Sequence, residues 1–293
     1  MADFYSELKR KQEQVEEFLR AQFADEPSYA VLLEAMRYSL LAGGKRLRPV
    51  LCMAFSEAVG GTAEAVLQAG AAIEMVHTYS LIHDDLPCMD DDDYRRGRLS
   101  NHKVYGEAVA TLAGDALLTA AFGCLAGADA PPERIVRCTA ILAGAAGENG
   151  MVAGQILDLE GEKRALSEAE LREVHLHKTG DMIRAACQIG AVLGGGTQEQ
   201  VEAAGRFAQS LGVAFQIRDD VLDCVGTQEE LGKPIGSDEA SGKTTFVTLF
   251  GVEECGRLVQ REAECALAAL RSADFARTEF IEYLTQSLTT RRS

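Results

Sequence analysis

The chain has 293 residues, 47% of them hydrophobic, so it is long enough to bury a sizeable core. Its formal net charge of −16 excludes nucleic acid as an expected partner, because binding a phosphate backbone requires a basic face. The eight cysteines form no CxxC pair, and we expect neither a signal peptide nor a membrane span. The sequence therefore predicts a cytoplasmic protein with free thiols and no stable membrane association.

Helical patterns follow one another along the chain. They cover residues 6–23, 28–41, 47–59, 63–86, 104–126, 133–157, 167–192, 198–225 and 239–271. Glycine and proline punctuate the boundaries, as at Gly43-Gly44, which is a plausible helix stop. No convincing set of strands is present. We therefore predict one all-α domain over residues 1–293, with its Ala- and Gly-rich helices packed closely in a bundle.

Two aspartate clusters interrupt this apolar helical pattern. The first aspartate cluster is Asp84, Asp85 and Asp90, and the second is Asp219, Asp220 and Asp223. Asp219 and Asp223 share a helix face, while Pro87 predicts a distortion that returns Asp90 towards Asp84. Mg²⁺ prefers oxygen ligands and binds through a few carboxylates plus substrate phosphates. The clusters predict a Mg²⁺ site for a phosphorylated substrate; the alternative is a solvated acidic helix end.

Basic residues lie close to both clusters and to turns. They are Lys45, Arg46, Arg48, Arg95, Arg96, Lys178, Lys233 and Lys243. Arginine offers phosphate a two-pronged donor fork and lysine a point charge, so together they predict a diphosphate site. Each of these residues taken alone is equally well explained as a surface cation. Residues 236–244 are not a P-loop, because five residues separate the glycines and no strand precedes them.

The ordered set of motifs resembles the trans-polyprenyl diphosphate synthase family, and within it the bacterial farnesyl diphosphate synthases. The resemblance is carried by residues 43–49, 80–90, 95–97, 154–159, 177–180, 215–223 and 231–233. It implies an all-α isoprenoid synthase bundle around a deep central cavity, in a homodimer. It also implies the Mg²⁺-dependent head-to-tail condensation of isopentenyl diphosphate with dimethylallyl or geranyl diphosphate, with three ions bound.

The resemblance also assigns roles to individual residues. The first aspartate cluster would hold two ions and Asp219, supported by Asp220 and Asp223, would hold the third. The allylic diphosphate would contact Arg95, Lys178, Lys233 and Lys243. The isopentenyl diphosphate site would consist of Gly44, Lys45, Arg48, His77 and Arg96. The developing allylic cation would lie near Thr179 and Gln216.

Product length is expected to depend on the helix before the first aspartate cluster, along which the allylic tail runs in this family. Tyr79 lies five residues before Asp84, about 7.5 Å along a helix, and its neighbour Ser80 is small. This aromatic residue, together with the inserted Leu86-Pro87, resembles the farnesyl pattern. The alternatives for the protein are a geranylgeranyl diphosphate synthase, a terpene cyclase or a non-catalytic prenyl synthase subunit. The alternative for Tyr79 is an ordinary core residue.

Overall fold

The computed structural model describes residues 3–24, 28–225 and 243–290. Its helices are α1 (Phe4–Arg20), α2 (Ala30–Leu40), α3 (Leu47–Ala58), α4 (Leu67–Asp84), α5 (Asn101–Tyr105), α6 (Glu107–Ala126), α7 (Pro132–Ala146), α8 (Met151–Gly161), α9 (Glu168–His175), α10 (Asp181–Leu193), α11 (Gln198–Val225), α12 (Phe246–Arg271) and α13 (Glu279–Thr290). A 3₁₀ turn at Glu64–Val66 precedes α4, and the π-helical Leu176–Gly180, called the π segment below, joins α9 to α10. The predicted all-α architecture is confirmed.

Helix α4 is the central rod of the bundle. Every residue from Ala69 to Val76 is buried, and its Ala- and Gly-rich first half lets neighbouring helices approach closely. A helix that is apolar on all sides must be surrounded, and α4 packs against α1, α2, α3, α6 and α10. The first aspartate cluster begins where α4 ends, at Asp84. The most rigid element of the fold therefore carries the start of the candidate site.

The one short sheet in the described residues is a hairpin. Strand β1 (Tyr94–Arg95) pairs antiparallel with β2 (Arg98–Leu99). The two turn residues, Arg96 and Gly97, have φ values of 54° and 73°. Positive φ at both central positions is the geometry that matches the twist of a two-residue hairpin. The sequence analysis found no strands, because segments of two residues are too short to show an alternating pattern.

Several helix boundaries differ from those predicted. The pattern at 133–157 is two helices, α7 and α8, which separate at Gly147–Gly150, and the pattern at 167–192 contains the π segment. Helix α13 was not predicted at all. The described part of the pattern at 239–271 is helical only from Phe246. The apolar periodicity alone does not reveal these breaks, because the buried helix face continues on both sides of each one.

Helix α6 corrects the expectation that no stretch of the chain resembles a membrane span. Over an 18-residue window its mean hydropathy reaches 1.7, and only 33% of that window is buried. It is therefore long and apolar enough to cross a bilayer by length and composition, a test that core helices of soluble proteins also pass. Its Leu112 is 58% exposed. An apolar face of α6 is thus left uncovered by the residues that the structure describes.

Candidate active site

The chain reverses direction immediately after α4. The amide of Met89 donates to the carbonyl oxygen of Leu86 at 2.8 Å, and the amide of Asp90 donates to that of Asp84 at 2.9 Å. Pro87 lies inside this turn. Because proline cannot continue the helical hydrogen-bond ladder, the chain folds back on itself. The predicted return of Asp90 to Asp84 is confirmed, and the first aspartate cluster is compact.

The charge of this cluster is only partly compensated. Burial raises the pKa of Asp84 to about 6, and the carboxylates of Asp90 and Asp85 add to that rise, whereas the charges of Lys178 and Arg95 oppose it. Loss of hydration likewise raises the pKa of Asp85 and of Asp90. Carboxylates in this condition are stabilised by an added cation. Oxygen donors of this kind fit Mg²⁺.

The protein does not complete a metal site by itself. Within residues 3–24, 28–225 and 243–290, no three His, Cys, Asp or Glu side chains converge closely enough to hold an ion. This fits Mg²⁺, which takes one or two carboxylates and completes its shell with water and substrate phosphate oxygens. The donor set is therefore suited to a cation that arrives with a phosphorylated ligand.

Two consecutive arginines of the hairpin, Arg95 and Arg96, contact different parts of the candidate site. The Nε of Arg95 donates to Asp85 Oδ1 at 2.8 Å, and its Nη2 contacts both that atom and, at 2.9 Å, Asp92. Arg96 instead donates from Nη1 to the carbonyl oxygen of Gly43, and its Nη2 lies 3.9 Å from Glu74 Oε1. Arg95 thus joins the first aspartate cluster, and Arg96 joins the loop before α3.

A lysine pair faces the first aspartate cluster from the other side. Lys178 lies in the π segment, and its charge opposes the rise that burial causes in the pKa of both Asp84 and Asp90. Its Nζ is 2.6 Å from Asp158 Oδ2, and Lys243 Nζ is 3.6 Å from the same oxygen. The structure therefore brings together Lys178 and Lys243, two residues that sequence analysis had grouped only by resemblance. Asp158, which joins them, was not predicted as a site residue.

The π segment sets the position of Lys178. A Cβ added to Gly154 of α8 would lie 2.1 Å from the backbone nitrogen of Lys178, so the two backbones are in direct contact. The widened π turn is a geometry often found at functional sites. The next residue, Thr179, donates from Oγ1 to Gln216 Oε1 of α11 at 2.5 Å. Thr179 and Gln216, which the resemblance places around the allylic cation, are thus in contact with each other.

The loop before α3 depends on a glycine. Gly44 has a φ of +123°, and an added Cβ would lie 2.9 Å from the guanidinium carbon of Arg96. No other residue tolerates both the backbone angle and this close approach. Helix α1 holds the same loop, because Gln12 Nε2 donates to the carbonyl oxygen of Lys45 at 2.8 Å. The loop and Arg96 are therefore locked together.

Glu74 is the common partner of an arginine cluster, Arg46, Arg48 and Arg96. It is 2% exposed, and its Oε1 accepts from Arg46 Nη1 at 2.7 Å. Burial lowers the pKa of Arg48, and the charge of Glu74 opposes that fall. Sequence analysis missed Glu74, although a lone acid in the apolar run Ala71–Val76 is itself the signal of a buried ion pair. Glu74 faces three guanidinium groups and only Arg46 is also hydrogen-bonded to a second carboxylate among the described residues, so Arg48 and Arg96 are the members suited to an anionic ligand.

Arg46 differs from the other members of the arginine cluster in the number of partners that hold it within the protein. Arg46 is 2% exposed and also donates to Glu16 at 2.7 Å and to the carbonyl oxygen of Leu40 at 2.7 Å, so it is fully used within the protein. Burial, with the charges of Arg48 and Arg96, holds the pKa of His77 well below its usual range. His77 is therefore neutral at physiological pH and offers a hydrogen bond rather than a charge.

The second aspartate cluster lies on α11. Burial lowers the pKa of Arg48, and the charge of Asp219 opposes that fall, so Asp219 lies near the arginine cluster. Asp220 Oδ2 accepts a hydrogen bond of 2.8 Å from the Phe246 amide at the start of α12, and Asp223 is 5% exposed. The two aspartate clusters, which are far apart in the chain, thus both adjoin basic residues. Lys233 lies outside the described residues, as do 236–242 and Arg291-Arg292.

Tyr79 lies inside the bundle below the first aspartate cluster. It is 7% exposed, and its ring meets the ring of His83 edge to face, with centroids 5.7 Å apart. The neighbouring Ser80 turns its hydroxyl back to the carbonyl oxygen of His77 at 3.0 Å. The tyrosine is thus a fixed, bulky element of α4, while Ser80 presents no bulk.

Comparison with known proteins agrees with this site. The family model described as polyprenyl synthetase matches residues 29–285. Farnesyl diphosphate synthase of Geobacillus stearothermophilus is 48% identical over 248 residues, which cover 84% of each chain. A chloroplastic geranylgeranyl pyrophosphate synthase of Capsicum annuum is 49% identical over 248 residues, covering 83% of this chain and 67% of that protein.

Solved structures extend the likeness to the whole fold. An FPP/GFPP synthase from Zymomonas mobilis superposes with a TM-score of 0.87 at 32% identity, covering 98% of this chain and 99% of that one. Geranyltransferase from Helicobacter pylori, complexed with magnesium and isoprenyl diphosphate, also gives 0.87 at 32% identity, covering 99% and 97%. The chain belongs to the polyprenyl synthetase family and is a trans-prenyl diphosphate synthase with the all-α isoprenoid synthase fold.

Proposed function

We propose that the protein is a farnesyl diphosphate synthase, which condenses isopentenyl diphosphate with dimethylallyl diphosphate and then with geranyl diphosphate. The observation that carries the product length is Tyr79, 7% exposed on α4 before Asp84, where it would form the floor under a growing tail. The likeness to bacterial farnesyl diphosphate synthases supports this length. Geranylgeranyl diphosphate is the second candidate, because a geranylgeranyl pyrophosphate synthase is as similar to this chain.

Three Mg²⁺ ions complete the proposed site. The first aspartate cluster would hold two of them, and Asp219, Asp220 and Asp223 the third. The hydrogen bond from Phe246 engages one oxygen of Asp220, which is why Asp220 has a supporting part. When bound, the ions neutralise the negative charge that develops on a departing diphosphate.

The basic residues would hold the two substrates in separate places. Arg95, Lys178 and Lys243, with Lys233, would bind the allylic diphosphate beside the first aspartate cluster. Gly44, Lys45, Arg48 and Arg96, with neutral His77, would bind isopentenyl diphosphate beside Glu74. Asp158 would keep the lysine pair in place, since its carboxylate contacts both ammonium groups. Holding both substrates in a fixed geometry supplies much of the rate enhancement.

The reaction then follows from charge and burial. Stabilisation of the leaving diphosphate by Lys178 and Arg95 lets the allylic C–O bond ionise. The hydroxyl of Thr179 and the amide oxygen of Gln216 would direct their dipoles at the resulting carbocation. The double bond of isopentenyl diphosphate attacks that cation, and the departed diphosphate removes a proton from the new intermediate. The apolar bundle excludes water, which would otherwise quench the cation.

The proposal includes a cytoplasmic homodimer that covers the apolar face of α6. Helix α6 is apolar, yet only one third of its apolar window is buried. Leu112 of α6 is 58% exposed, and Val136 of the neighbouring α7 is 69% exposed. An exposed apolar surface of this kind marks an interaction site. All eight cysteines are free, which agrees with a reducing compartment.

Sedimentation tests the homodimer. We expect wild-type protein to sediment at twice the 31.5 kDa chain mass, and Leu112→Glu to shift it towards the monomer. A monomeric wild type that floats with phospholipid vesicles would instead identify the α6 face as a membrane contact.

Product analysis tests the reaction. Purified protein is incubated with Mg²⁺, isopentenyl diphosphate and either dimethylallyl or geranyl diphosphate, and the dephosphorylated alcohols are separated by chromatography. Farnesol from both primers is the expected result. Geranylgeraniol would keep the reaction and replace the product, whereas folded protein that yields no prenyl alcohol would contradict the proposed activity.

A further inference from the structure

We propose that the contact between Gly114 of α6 and the imidazole ring of His83 on α4 sets the product length by fixing Tyr79. The inference rests on the proposed function and deepens it. Neither Gly114 nor His83 would touch substrate: both act as positioning residues behind the tyrosine. Four observations, on the glycine, on each side of the imidazole and on the tyrosine, carry this inference.

Gly114 provides the space that the imidazole occupies. It is buried in α6, and a Cβ added there would lie 2.2 Å from His83 Nε2, 2.5 Å from Cδ2 and 3.0 Å from Cε1. All three atoms belong to one ring, so the ring lies directly on the helix backbone. Any side chain at position 114 must displace the ring of His83 from its present place.

The polar edge of the imidazole is fixed to α6. His83 Nε2 lies 3.0 Å from the carbonyl oxygen of Thr111, the residue three positions before Gly114. A carbonyl oxygen only accepts, so Nε2 carries the proton and donates. Asp115 Oδ1 is a further 3.9 Å contact on the same side. The hydrogen bond fixes the ring plane as well as its position.

The other side of the imidazole contacts Tyr79. The two residues are four apart on α4 and therefore share a helix face. Their rings meet at an interplanar angle of 83°, with centroids 5.7 Å apart. This edge-to-face arrangement is a favoured geometry for ring pairs, and it restricts the tyrosine to one orientation. The tyrosine is 7% exposed, so it has little other room.

These contacts form a relay from α6 to the proposed floor of the tail pocket. If the imidazole is removed or displaced, the phenol ring loses the neighbour that holds it across the path of the tail. The ring can then turn aside, and the tail can grow past it. Product length would thus depend on Gly114, which lies on another helix from the residue that the tail meets.

Four variants test the relay through the ratio of prenyl alcohols, which does not depend on the overall rate. They are His83→Ala, Gly114→Ala, the double variant, and Gly123→Ala as a control. Gly123 lies on the same helix, and a Cβ added there meets no atom within 4 Å. The two glycine substitutions raise helix propensity alike, so a difference between them reports the ring contact.

We expect His83→Ala and Gly114→Ala each to raise the share of products one isoprene unit longer than wild type by at least about fivefold. Gly123→Ala should keep the wild-type ratio. The double variant should match His83→Ala alone, because no ring remains for the added methyl group to displace. The comparison is made relative to wild type, so it holds for a C15 or a C20 parent product.

Two results would overturn the inference. One is a wild-type product ratio in His83→Ala, whose substitution leaves the helix backbones untouched and so keeps the test valid if Gly114→Ala fails to fold. The other is a ratio that changes equally in Gly114→Ala and Gly123→Ala. A wild-type protein that forms no prenyl product would instead overturn the proposed function, and this inference with it.

Discussion

The amide nitrogen of Asp90 lies 2.9 Å from the carbonyl oxygen of Asp84 and donates a hydrogen bond to it. Two carboxylates six positions apart are in this way brought to the same place, even though repulsion between them is unfavourable. Burial together with this proximity raises the pKa of Asp84 to about 6. The fold thus holds the first aspartate cluster in a state that an added cation would stabilise.

The first prediction concerns activity. Asp84→Asn keeps the shape of the side chain and removes its charge, and we expect kcat to fall by about 10²–10³-fold. Initial rates at saturating Mg²⁺ and both substrates measure this. The matched control is Asp93→Asn, because Asp93 is exposed and pairs only with Lys103, at 2.6 Å. A near-normal rate for Asp84→Asn would remove this carboxylate from the reaction.

The second prediction concerns stability and pH. Because the pKa of Asp84 is raised from 3.8 to about 6, the folded protein holds this proton more tightly than the unfolded chain. The group therefore makes the metal-free protein less stable as pH rises from about 4 to about 6, and the loss persists above that. In EDTA at pH 8, Asp84→Asn should melt about 2–4 °C above wild type. At pH 4 the difference should vanish.

Thermal unfolding followed by circular dichroism measures this difference. Asp93→Asn again serves as the control, since the hydrogen bond to Lys103 lowers the pKa of Asp93 and its loss should bring no gain at pH 8. Equal melting temperatures for wild type and Asp84→Asn at pH 8 would show that the ionised carboxylate of Asp84 does not destabilise the folded protein.

The third prediction compares the effects of neutralising each of the two carboxylates that pair with Arg46, those of Glu74 and Glu16. Glu74→Gln weakens the anchor of Arg46 and Arg96, so we expect the KM for isopentenyl diphosphate to rise about tenfold with little change for the allylic substrate. Glu16→Gln removes a direct partner of Arg46 but acts on Arg96 only through its charge, and should lower stability with little change in either KM. Steady-state kinetics with each substrate varied in turn measures both. Equal effects of the two variants would mean that Glu74 is structural only.

The fourth prediction is the counterpart on the lysine side. Asp158→Asn removes the charge that holds Lys178 at 2.6 Å and Lys243 at 3.6 Å. We expect the KM for the allylic diphosphate to rise several-fold while the KM for isopentenyl diphosphate is unchanged. Glu162→Gln is the control, because within the described residues Glu162 forms an ion pair with Lys243, at 2.9 Å, and none with Lys178. A change in the isopentenyl diphosphate KM instead would contradict the separation of the two subsites.

The predictable part of this structure is the part that local sequence encodes. Helical periodicity identified the bundle, and Pro87 between acidic residues indicated the turn that returns Asp90. Apolar flanks placed both aspartate clusters inside the fold. These features depend on neighbours within a few positions, which a single sequence displays.

The rest depends on contacts between distant segments. Asp158 meets Lys178 and Lys243 only because α8 and the π segment pack backbone to backbone at Gly154. The π turn itself leaves no mark in the apolar pattern of 167–192. Glu74 was visible as a lone acid, but its partners lie on other elements. The strands of the short hairpin are too short to show an alternation of apolar and polar residues. The local sequence signal of the hairpin was Arg96-Gly97 at its turn.

That hairpin has a geometric consequence for the proposed pair of substrates. Arg95 contacts the first aspartate cluster and Arg96 contacts the loop at Gly43, so adjacent residues attach to the two anion-binding regions. Their Cα atoms are about 3.8 Å apart across one trans peptide bond. The two proposed diphosphate regions are therefore attached to adjacent points of one backbone, so a displacement of the hairpin would move both basic side chains together.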